Sequence, residues 1–267
     1  MQDKNQTIIS AIARTGYVAK GLVYLMVGVL TLQATLGMGG ETSDATDAFS
    51  EFIEQPFGSV LMIGIIAGLI AHAIWKMLQG IIDPEDRGDG FKIISLRGID
   101  FLTGLLYISM SYAAWQILQG VGAQDGDETT EVWVENIMEL PYGSWLVMIC
   151  AVIILIGGFY QFYSVYTAGF ESSFSSKMNV TEKRVLRSLG RIGTAAWGIV
   201  YCMVAYLFYR ASVNYDPEEA GGISDALNAL RDQPYGIWVL AITAGGLITY
   251  GIYLLVLSYY HKIFEEN

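Results

Sequence analysis

The chain has 267 residues, of which 53% are hydrophobic and only 15% are charged, and its formal net charge is −11. Because a soluble domain carries roughly a quarter of its residues as charges, this composition excludes an ordinary soluble globular protein and indicates a protein embedded in lipid. The acidic balance argues against nucleic-acid binding. Two cysteines, both inside apolar stretches, do not form the framework of a secreted disulfide-rich domain.

Six stretches are long enough for a helix of about 20 residues to cross roughly 30 Å of hydrocarbon. In chain order they are 17–37, 57–75, 101–124, 140–170, 192–209 and 233–261. The first contains one charged residue, Lys20, whose amine we expect to extend to the lipid headgroups. That stretch is longer than the apolar core of a signal peptide, so we interpret it as a retained helix.

A spaced set of residues occurs three times along the chain. In each copy a Gly follows an Arg by seven positions, a Tyr follows that Gly by three, and a Pro-aromatic-Gly triplet begins 42 to 44 residues after the Arg. The glycines are Gly21, Gly104 and Gly198, and the triplets begin at Pro56, Pro141 and Pro234. Such constant spacing indicates a two-helix unit used three times, and we place the repeats at 11–82, 94–170 and 188–262.

The repeated motifs carry a resemblance to a known family. Residues 13–24 have the sequence Ala-Arg-Thr-Gly-Tyr-Val-Ala-Lys-Gly-Leu-Val-Tyr, and Gln-Pro-aromatic-Gly begins at Gln55 and Gln233. With these motifs the chain resembles bacterial membrane proteins grouped as domain of unknown function 1206, in which a two-helix unit is repeated three times. The resemblance implies a six-helix inner-membrane protein and brings no established activity or catalytic residue. The second repeat departs from the pattern, with Leu140 in place of Gln and Asp100 in place of Tyr.

The fold class follows from the repeat. Because each unit contains two spans, all three insert with the same polarity and are related by an axis along the membrane normal. We therefore predict an all-α polytopic membrane protein, with six transmembrane helices as three parallel two-helix repeats and pseudo-threefold symmetry. Equivalent residues of the three repeats then form rings around a common axis.

The basic residues predict the orientation. With six spans both termini share one side, which carries thirteen of the 15 Lys and Arg residues, and only Arg210 and Arg231 lie on the other. Since basic residues in short loops stay in the cytoplasm, we expect both termini to be cytoplasmic in a bacterial inner membrane. Sixteen of the 26 carboxylates fall in the outward loops 41–54, 125–139 and 216–232, which we interpret as a hydrated surface.

Each outward loop contains apolar residues at helical spacing before its triplet, which predicts a short amphipathic helix lying at the interface. The three sets are Ala45, Ala48, Phe49, Phe52 and Ile53; Val132, Trp133, Ile137 and Met138; and Ile223, Ala226, Leu227 and Leu230. We expect the triplet to be structural, with proline starting the next helix, glycine permitting the bend and the ring at headgroup depth.

Three predicted rings supply most candidate ligand-binding residues. The arginine ring is either a guanidinium site for an anionic substrate or lipid phosphate, or a set of topology determinants gripping headgroups. The tyrosine ring either lines a path or joins helices by hydrogen bonds. The outward polar ring suggests the mouth of a passage, although it lies about 100° round the helix from the arginines. The rings are Arg14, Arg97 and Arg191; Tyr24, Tyr107 and Tyr201; and Gln33, Gln116 and Arg210.

Small residues are expected to let the helices approach closely, because packing replaces the hydrophobic effect in lipid. We assign this role to the three repeat glycines. Further contact points are expected at Gly64, Gly68, Gly157, Gly158, Gly245 and Gly246.

His72 and Asp100 are the other candidate site residues. His72 lies about 21 Å into the second span, and Asp100 lies near the same leaflet at the start of the third, so a His–Asp pair for proton relay is one interpretation. The alternative is that Asp100 simply pairs with Arg97 at i, i+3. No zinc, haem, phosphate-loop or nucleophile motif is present, and the second histidine, His261, is near the end, so we expect no cofactor and no enzymatic activity.

Two functions remain open from the sequence. In the first, the protein binds or conducts a small solute, ion or lipid, including anionic lipid, near the pseudo-threefold axis. In the second, it is a structural or auxiliary subunit that docks a membrane-protein partner through its acidic loops or its basic segment 177–191. The rings favour the first function, whereas the scarcity of charge at mid-membrane favours the second.

Overall fold

The structure is a computed structural model that describes residues 2–38, 45–82, 90–121, 126–169, 171, 174 and 178–260. Its α-helices are α1 (Gln2–Thr35), α2 (Ala45–Ile53), α3 (Gly58–Ile81), α4 (Phe91–Leu118), α5 (Gly126–Met138), α6 (Gly143–Thr167), α7 (Val180–Asn214), α8 (Ile223–Arg231) and α9 (Gly236–Tyr260). The predictions that concern 41–44, 125, Lys177, His261 and the repeat ends at 170 and 262 fall outside the described residues.

Within those ranges, six helices are long and apolar enough to cross a membrane, with 24 to 35 residues each. They are α1, α3, α4, α6, α7 and α9. This confirms the predicted all-α class and the six spans, and it identifies a multi-pass membrane protein.

The spans contact one another in the order α4, α3, α1, α9, α7, α6. This is the order of a six-membered ring that is open between α4 and α6, two fully described helices that share no comparable interface. The most apolar windows of α4 and α6 are accordingly only 11% and 17% buried, against 39% to 50% for the other four spans. The open side departs from an even threefold arrangement, which remains a prediction.

The repeat glycines lie where one repeat meets the next. A Cβ on Gly21 would come 2.9 Å from the carbonyl oxygen of Gly251, and one on Gly104 would come 3.0 Å from that of Ala73. Gly198 faces Phe162 in the same way. These contacts agree with a packing role for the repeat glycines.

Only half of the additional glycines make the expected contacts. Gly68, Gly158 and Gly246 pack against neighbouring helices, whereas a Cβ on Gly64, Gly157 or Gly245 would meet nothing within 4 Å. The expectation was wrong for the latter three, because they lie on helix faces turned away from the bundle.

The helix pairs inside repeats one and three are held by small residues. Gly16 and Gly193 lie directly against the backbones of His72 and Tyr250. One turn further on, Ala19 packs on Gly68, and Ala196 packs in the same way on Gly246. These contacts hold α1 against α3 and α7 against α9.

The second repeat has branched side chains at the same places. Ile99 occupies the position of Gly16 and Gly193. Leu102 occupies the position of Ala19 and Ala196, and Ile153 occupies the position of Gly68 and Gly246. All three are exposed, at 58%, 60% and 62%. Because these side chains prevent a close approach, α4 and α6 stand apart. We call this open side, bordered by Ile99, Leu102 and Leu106 of α4 and Ile153 of α6, the seam.

The short outward helices α2, α5 and α8 form as predicted, and α2 and α8 pack against the spans. Phe49 of α2 and Leu227 of α8 are fully buried in a core cluster with residues of the spans. In α5 the predicted apolar face is wrong in part. Trp133 is 67% exposed and Val132 is also exposed, whereas Val134 is buried at 1%. The helix is turned this way because Val134 packs with Val147 of α6 and its neighbours.

The Pro-aromatic-Gly corners differ from the prediction in one respect. The aromatic residues Phe57, Tyr142 and Tyr235 adopt the left-handed conformation, with φ of 65°, 66° and 63°. The following glycine does not make this bend; a Cβ on Gly143, for example, would collide with the carbonyl oxygen of Ile137. The Gly143 N–H donates to the carbonyl of Leu140 at 2.8 Å, a backbone bond that any side chain permits, so the change from Gln to Leu leaves the corner intact.

Candidate functional site: the central cavity

Equivalent residues of α1, α4 and α7 line one cavity in the middle of the bundle. They occupy the positions one before, three after and six after the repeat glycine, a spacing that places them on one helix face. They are Lys20, Thr103 and Trp197; Tyr24, Tyr107 and Tyr201; and Val27, Met110 and Val204. We call this the central cavity, with a volume of about 330 Å³ and an adjoining enclosed part of about 50 Å³. The structure thus brings the predicted tyrosines together.

The ends and side of the central cavity are formed by other elements. Ala45 of α2 and Ile223 of α8, which match each other when the repeats are aligned on their triplets, lie at the outward end. Ile154 of α6 and Leu106 of α4 lie at the side, where the seam is. Leu106 is 70% exposed, so the cavity reaches the lipid-facing surface there.

Lys20 lies inside this cavity. Its Nζ is 5.6 Å from the ring centre of Tyr24 and 5.5 Å from that of Tyr107, distances typical of cation–π interactions. The expectation that the amine extends to the headgroups is wrong. Lys20 is on the face of α1 that points between the neighbouring spans, about 9 Å further along the helix than Arg14, and the tyrosine rings attract the ammonium inward.

No described carboxylate forms an ion pair with Lys20. The contacts of its ammonium are the tyrosine rings. Trp197 in the same wall is only 6% exposed, and its indole N–H has no hydrogen-bond partner. Burying an unpaired charge in a medium of low dielectric costs several kcal/mol. A cavity with an unpaired ammonium in its wall is therefore chemically suited to an anion.

His72 belongs to the aromatic wall around the cavity. Its ring lies edge-on to Tyr107 at 4.5 Å, and Tyr250, the equivalent residue of repeat three, packs on Tyr24 at 5.2 Å. The second repeat has Gly157 there, so Tyr201 has no equivalent aromatic partner from α6 and packs instead on Trp197 of its own helix at 5.5 Å. His72 thus takes the place of an aromatic residue in the repeat pattern.

The predicted His72–Asp100 pair is not formed. Neither ring nitrogen of His72 has a hydrogen-bond partner, although the side chain is fully buried. Asp100 instead accepts from Lys76 Nζ at 2.8 Å. Lys76 lies one turn after His72 on α3, and its ammonium, rather than the imidazole, contacts Asp100.

The arginine ring does not converge on the central cavity. The guanidinium of Arg97 donates to the carbonyl oxygens of Gly80 at 3.1 Å and Ile81 at 2.6 Å, at the end of α3. Arg14 and Arg191 are exposed. Arg97 thus stabilises a helix terminus, which a cation does favourably, and a shared anion site of the three arginines remains a prediction.

The outward polar ring has three separate environments. Gln33 borders a groove of about 380 Å³ between α1 and α2. Arg210 pairs with Glu219 at 2.5 Å, inside its own repeat, and Gln116 is half-buried. The described cavities do not join these three residues.

With the repeats and the cavity defined, comparison with known proteins becomes specific. The family model described as Domain of Unknown Function (DUF1206) matches three segments, residues 15–83, 101–168 and 192–261. The chain belongs to the DUF1206 family. It is similar to "Uncharacterized protein YxxB" of Bacillus subtilis (strain 168), with 31% identity over 260 residues that cover 97% of this chain and 94% of the relative. No solved structure matches it. The resemblance and the repeat count are confirmed.

Of the three sets of equivalent residues that line the cavity of this DUF1206 protein, only the tyrosines were predicted from the sequence. Lys20 was expected at the headgroups, and Thr103 and Trp197 had no predicted role. The signal was nevertheless present, because these three residues directly precede the repeat glycines, and the residues six positions after those glycines match in the same way. Alignment of the three repeats at every position of the helix face, rather than at the repeated residue types alone, identifies the cavity lining.

Proposed function

We propose that this DUF1206 protein binds a small anionic molecule in the central cavity. The observation that carries the proposal is the ammonium of Lys20, which lies among equivalent tyrosines without a described carboxylate partner. In lipid a basic residue that faces the interior of a helix bundle is expected to serve a function. A bound anion would supply the missing countercharge and would use the tyrosine hydroxyls as further hydrogen-bond groups.

We propose binding rather than conduction or catalysis. The outward end of the cavity is lined by Ala45 and Ile223 and covered by the buried helices α2 and α8, which favours a closed site over a pore. The end of the cavity opposite α2 and α8 contains the aromatic contacts of Tyr17 with His72 and of His72 with Tyr107.

We also propose that the protein lies in a bacterial inner membrane with both termini in the cytoplasm. Apart from Lys20 in the cavity, the sequence places twelve basic residues on one side against two on the other, which supports this orientation. Fusion of a fluorescent reporter that matures only in the cytoplasm to the C-terminus is expected to give a signal. A signal only from a reporter active outside the cytoplasm would reverse the orientation.

A structural or auxiliary role is the second candidate function. The observation that favours it is the exposure of α4 and α6, whose faces are left uncovered by the rest of the bundle. A partner helix in the seam would cover those faces. This role requires no ligand at Lys20, so the two functions predict different results for the same variant.

The test compares the small molecules that remain on the purified full-length protein. Wild type, Lys20→Met and the control Lys183→Met, which removes an equal charge outside the cavity, are purified in the same detergent, extracted with organic solvent and analysed by mass spectrometry. We expect at least one acidic molecule in wild type and in Lys183→Met that is depleted at least tenfold in Lys20→Met. Identical profiles in all three proteins would contradict the proposal and favour the structural role.

A further inference from the structure

We infer that the seam between α4 and α6 admits a single-chain fatty acid from the bilayer, whose carboxylate binds the ammonium of Lys20. This inference rests on the proposed function and adds to it the class of ligand and the route of entry.

The opening is on the side of the protein that faces lipid. Leu106 and Thr103 of α4, Ile154 of α6 and Lys20 of α1 all line the same cavity, so a continuous space connects the ammonium with the gap between the two helices. All other neighbouring spans in the ring contact each other, so the gap between α4 and α6 is the one opening between described spans. A molecule dissolved in the bilayer can therefore approach Lys20 sideways without passing through an aqueous mouth.

The borders of the seam suit an acyl chain. Ile99, Leu102 and Leu106 are separated by three and four residues, so they form one apolar stripe about 10 Å long on α4. Ile153 lies on the opposite helix, α6, at the position equivalent to Gly68 and Gly246. Since lipid tails are as apolar as leucine, a chain can lie along this stripe without loss of favourable contacts.

Charge and volume select the headgroup. The cavity offers one ammonium, Lys20, which matches one negative charge, as on a carboxylate, better than the greater charge of a phosphate monoester. Its volume of about 330 Å³ is at the small end of the roughly 300–1,000 Å³ of ligand pockets. This is room for a headgroup and the start of one chain, with the remainder in the seam, and it disfavours a two-chain phospholipid.

The first experiment measures which property of the ligand is recognised. Full-length protein in detergent is titrated by scintillation proximity with radiolabelled laurate, and with unlabelled laurate, dodecyl phosphate, 1-dodecanol and acetate as competitors. We expect laurate to compete at least tenfold better than 1-dodecanol, which lacks the charge, and than acetate, which lacks the chain. Lys20→Met is expected to lose laurate binding by at least tenfold, and Lys183→Met to retain it.

The competitors separate the possible failures. If acetate competes as well as laurate and Lys20→Met loses both, the proposed anion site stands but the membrane-borne ligand is wrong. If dodecyl phosphate competes tenfold better than laurate, the ligand is a phosphate monoester and the assignment of a fatty acid is overturned. If Lys20→Met binds laurate like wild type, the carboxylate does not bind the ammonium of Lys20 and the inference is overturned, whereas the proposed anion site is decided by the comparison of extracted molecules.

The second experiment tests the route. The triple variant Ile99→Gly, Leu102→Ala and Ile153→Gly gives the second repeat the small residues that close repeats one and three. We expect it to bring α4 and α6 together and to slow laurate association at least tenfold. The control places the same substitutions at exposed residues of α3 outside the seam, as Ile63→Gly, Leu61→Ala and Ile70→Gly, and is expected to associate like wild type. If both triple variants fold and associate at the wild-type rate, entry does not depend on the seam.

Discussion

Gly16 of α1 lies so close to His72 of α3 that a Cβ on the glycine would come 2.7 Å from the Cα of the histidine. Gly193 has the same relationship to Tyr250, between α7 and α9. The second repeat has Ile99 in the place of these glycines. One hairpin, copied three times, therefore gives two closed pairs of helices and one open pair, and the open pair is the one beside Lys20.

Two adjacent glycines of α9 should respond oppositely to a methyl group. Gly246→Ala adds a Cβ against that of Ala196, whereas Gly245→Ala adds one in open space. We expect Gly246→Ala to lower the free energy of unfolding by about 1–3 kcal/mol, because an overpacked interface must shift. Gly245→Ala should leave it unchanged or raise it by up to about 1 kcal/mol, since alanine favours the helix. Thermal unfolding of both variants in detergent measures the difference, and equal midpoints would contradict the assigned interface.

Chemical labelling should distinguish the seam from the closed interfaces. In a background without Cys150 and Cys202, Leu102→Cys lies in the seam, while Ala19→Cys occupies the equivalent buried position of repeat one. We expect N-ethylmaleimide to label the first in the folded, detergent-solubilised protein at least tenfold faster than the second. Both should react alike after denaturation in sodium dodecyl sulfate. Equal rates in the folded protein would mean that α4 and α6 are closed in solution.

The ion pair between Lys76 and Asp100 should join α3 to α4. Both side chains are largely buried, at 20% and 13% exposure, so Asp100→Asn replaces the carboxylate that accepts from the Lys76 ammonium with a neutral amide. We expect a loss of about 1–3 kcal/mol in unfolding free energy. The double variant Lys76→Met with Asp100→Leu should recover most of it, because no charge is then left unpaired. If the losses in unfolding free energy of the two single variants add up to that of the double variant, the two residues are not coupled.

The architecture could be predicted because each of its signals is local and repeated. Charge-free stretches define spans, and the triplets mark where the outward helices end. The position of Lys20 could not be predicted from its own helix, since a lysine near a span end can extend either way. Its direction depends on which neighbours α1 has, and that information is spread over three repeats. The seam arises because Ile99, Leu102 and Ile153 stand where repeats one and three have small residues. This difference is visible only when the repeats are compared position by position.

The corner before α6 provides a test of backbone conformation. Tyr142 is left-handed, so Tyr142→Gly removes a strain of about 1–2 kcal/mol while increasing the entropy of the unfolded chain, and we expect a net change within about 1 kcal/mol. Gly143→Ala should be clearly destabilising, because its Cβ would collide with the carbonyl of Ile137. Thermal unfolding midpoints in detergent rank the two. The reverse order would mean that glycine, not tyrosine, makes the bend.

His72 is predicted to be an aromatic wall residue rather than a proton carrier. His72→Phe keeps a ring edge-on to Tyr107 and removes two buried nitrogens that have no hydrogen-bond partner. We therefore expect unfolding free energy at or above that of wild type, because an unsatisfied buried polar group costs about 1–3 kcal/mol. His72→Ala should lose about 2–5 kcal/mol through the cavity it leaves. The laurate-binding assay on His72→Phe decides the functional question: an unchanged affinity assigns His72 to the wall, whereas a tenfold loss in a stably folded variant would show that the imidazole itself takes part in binding.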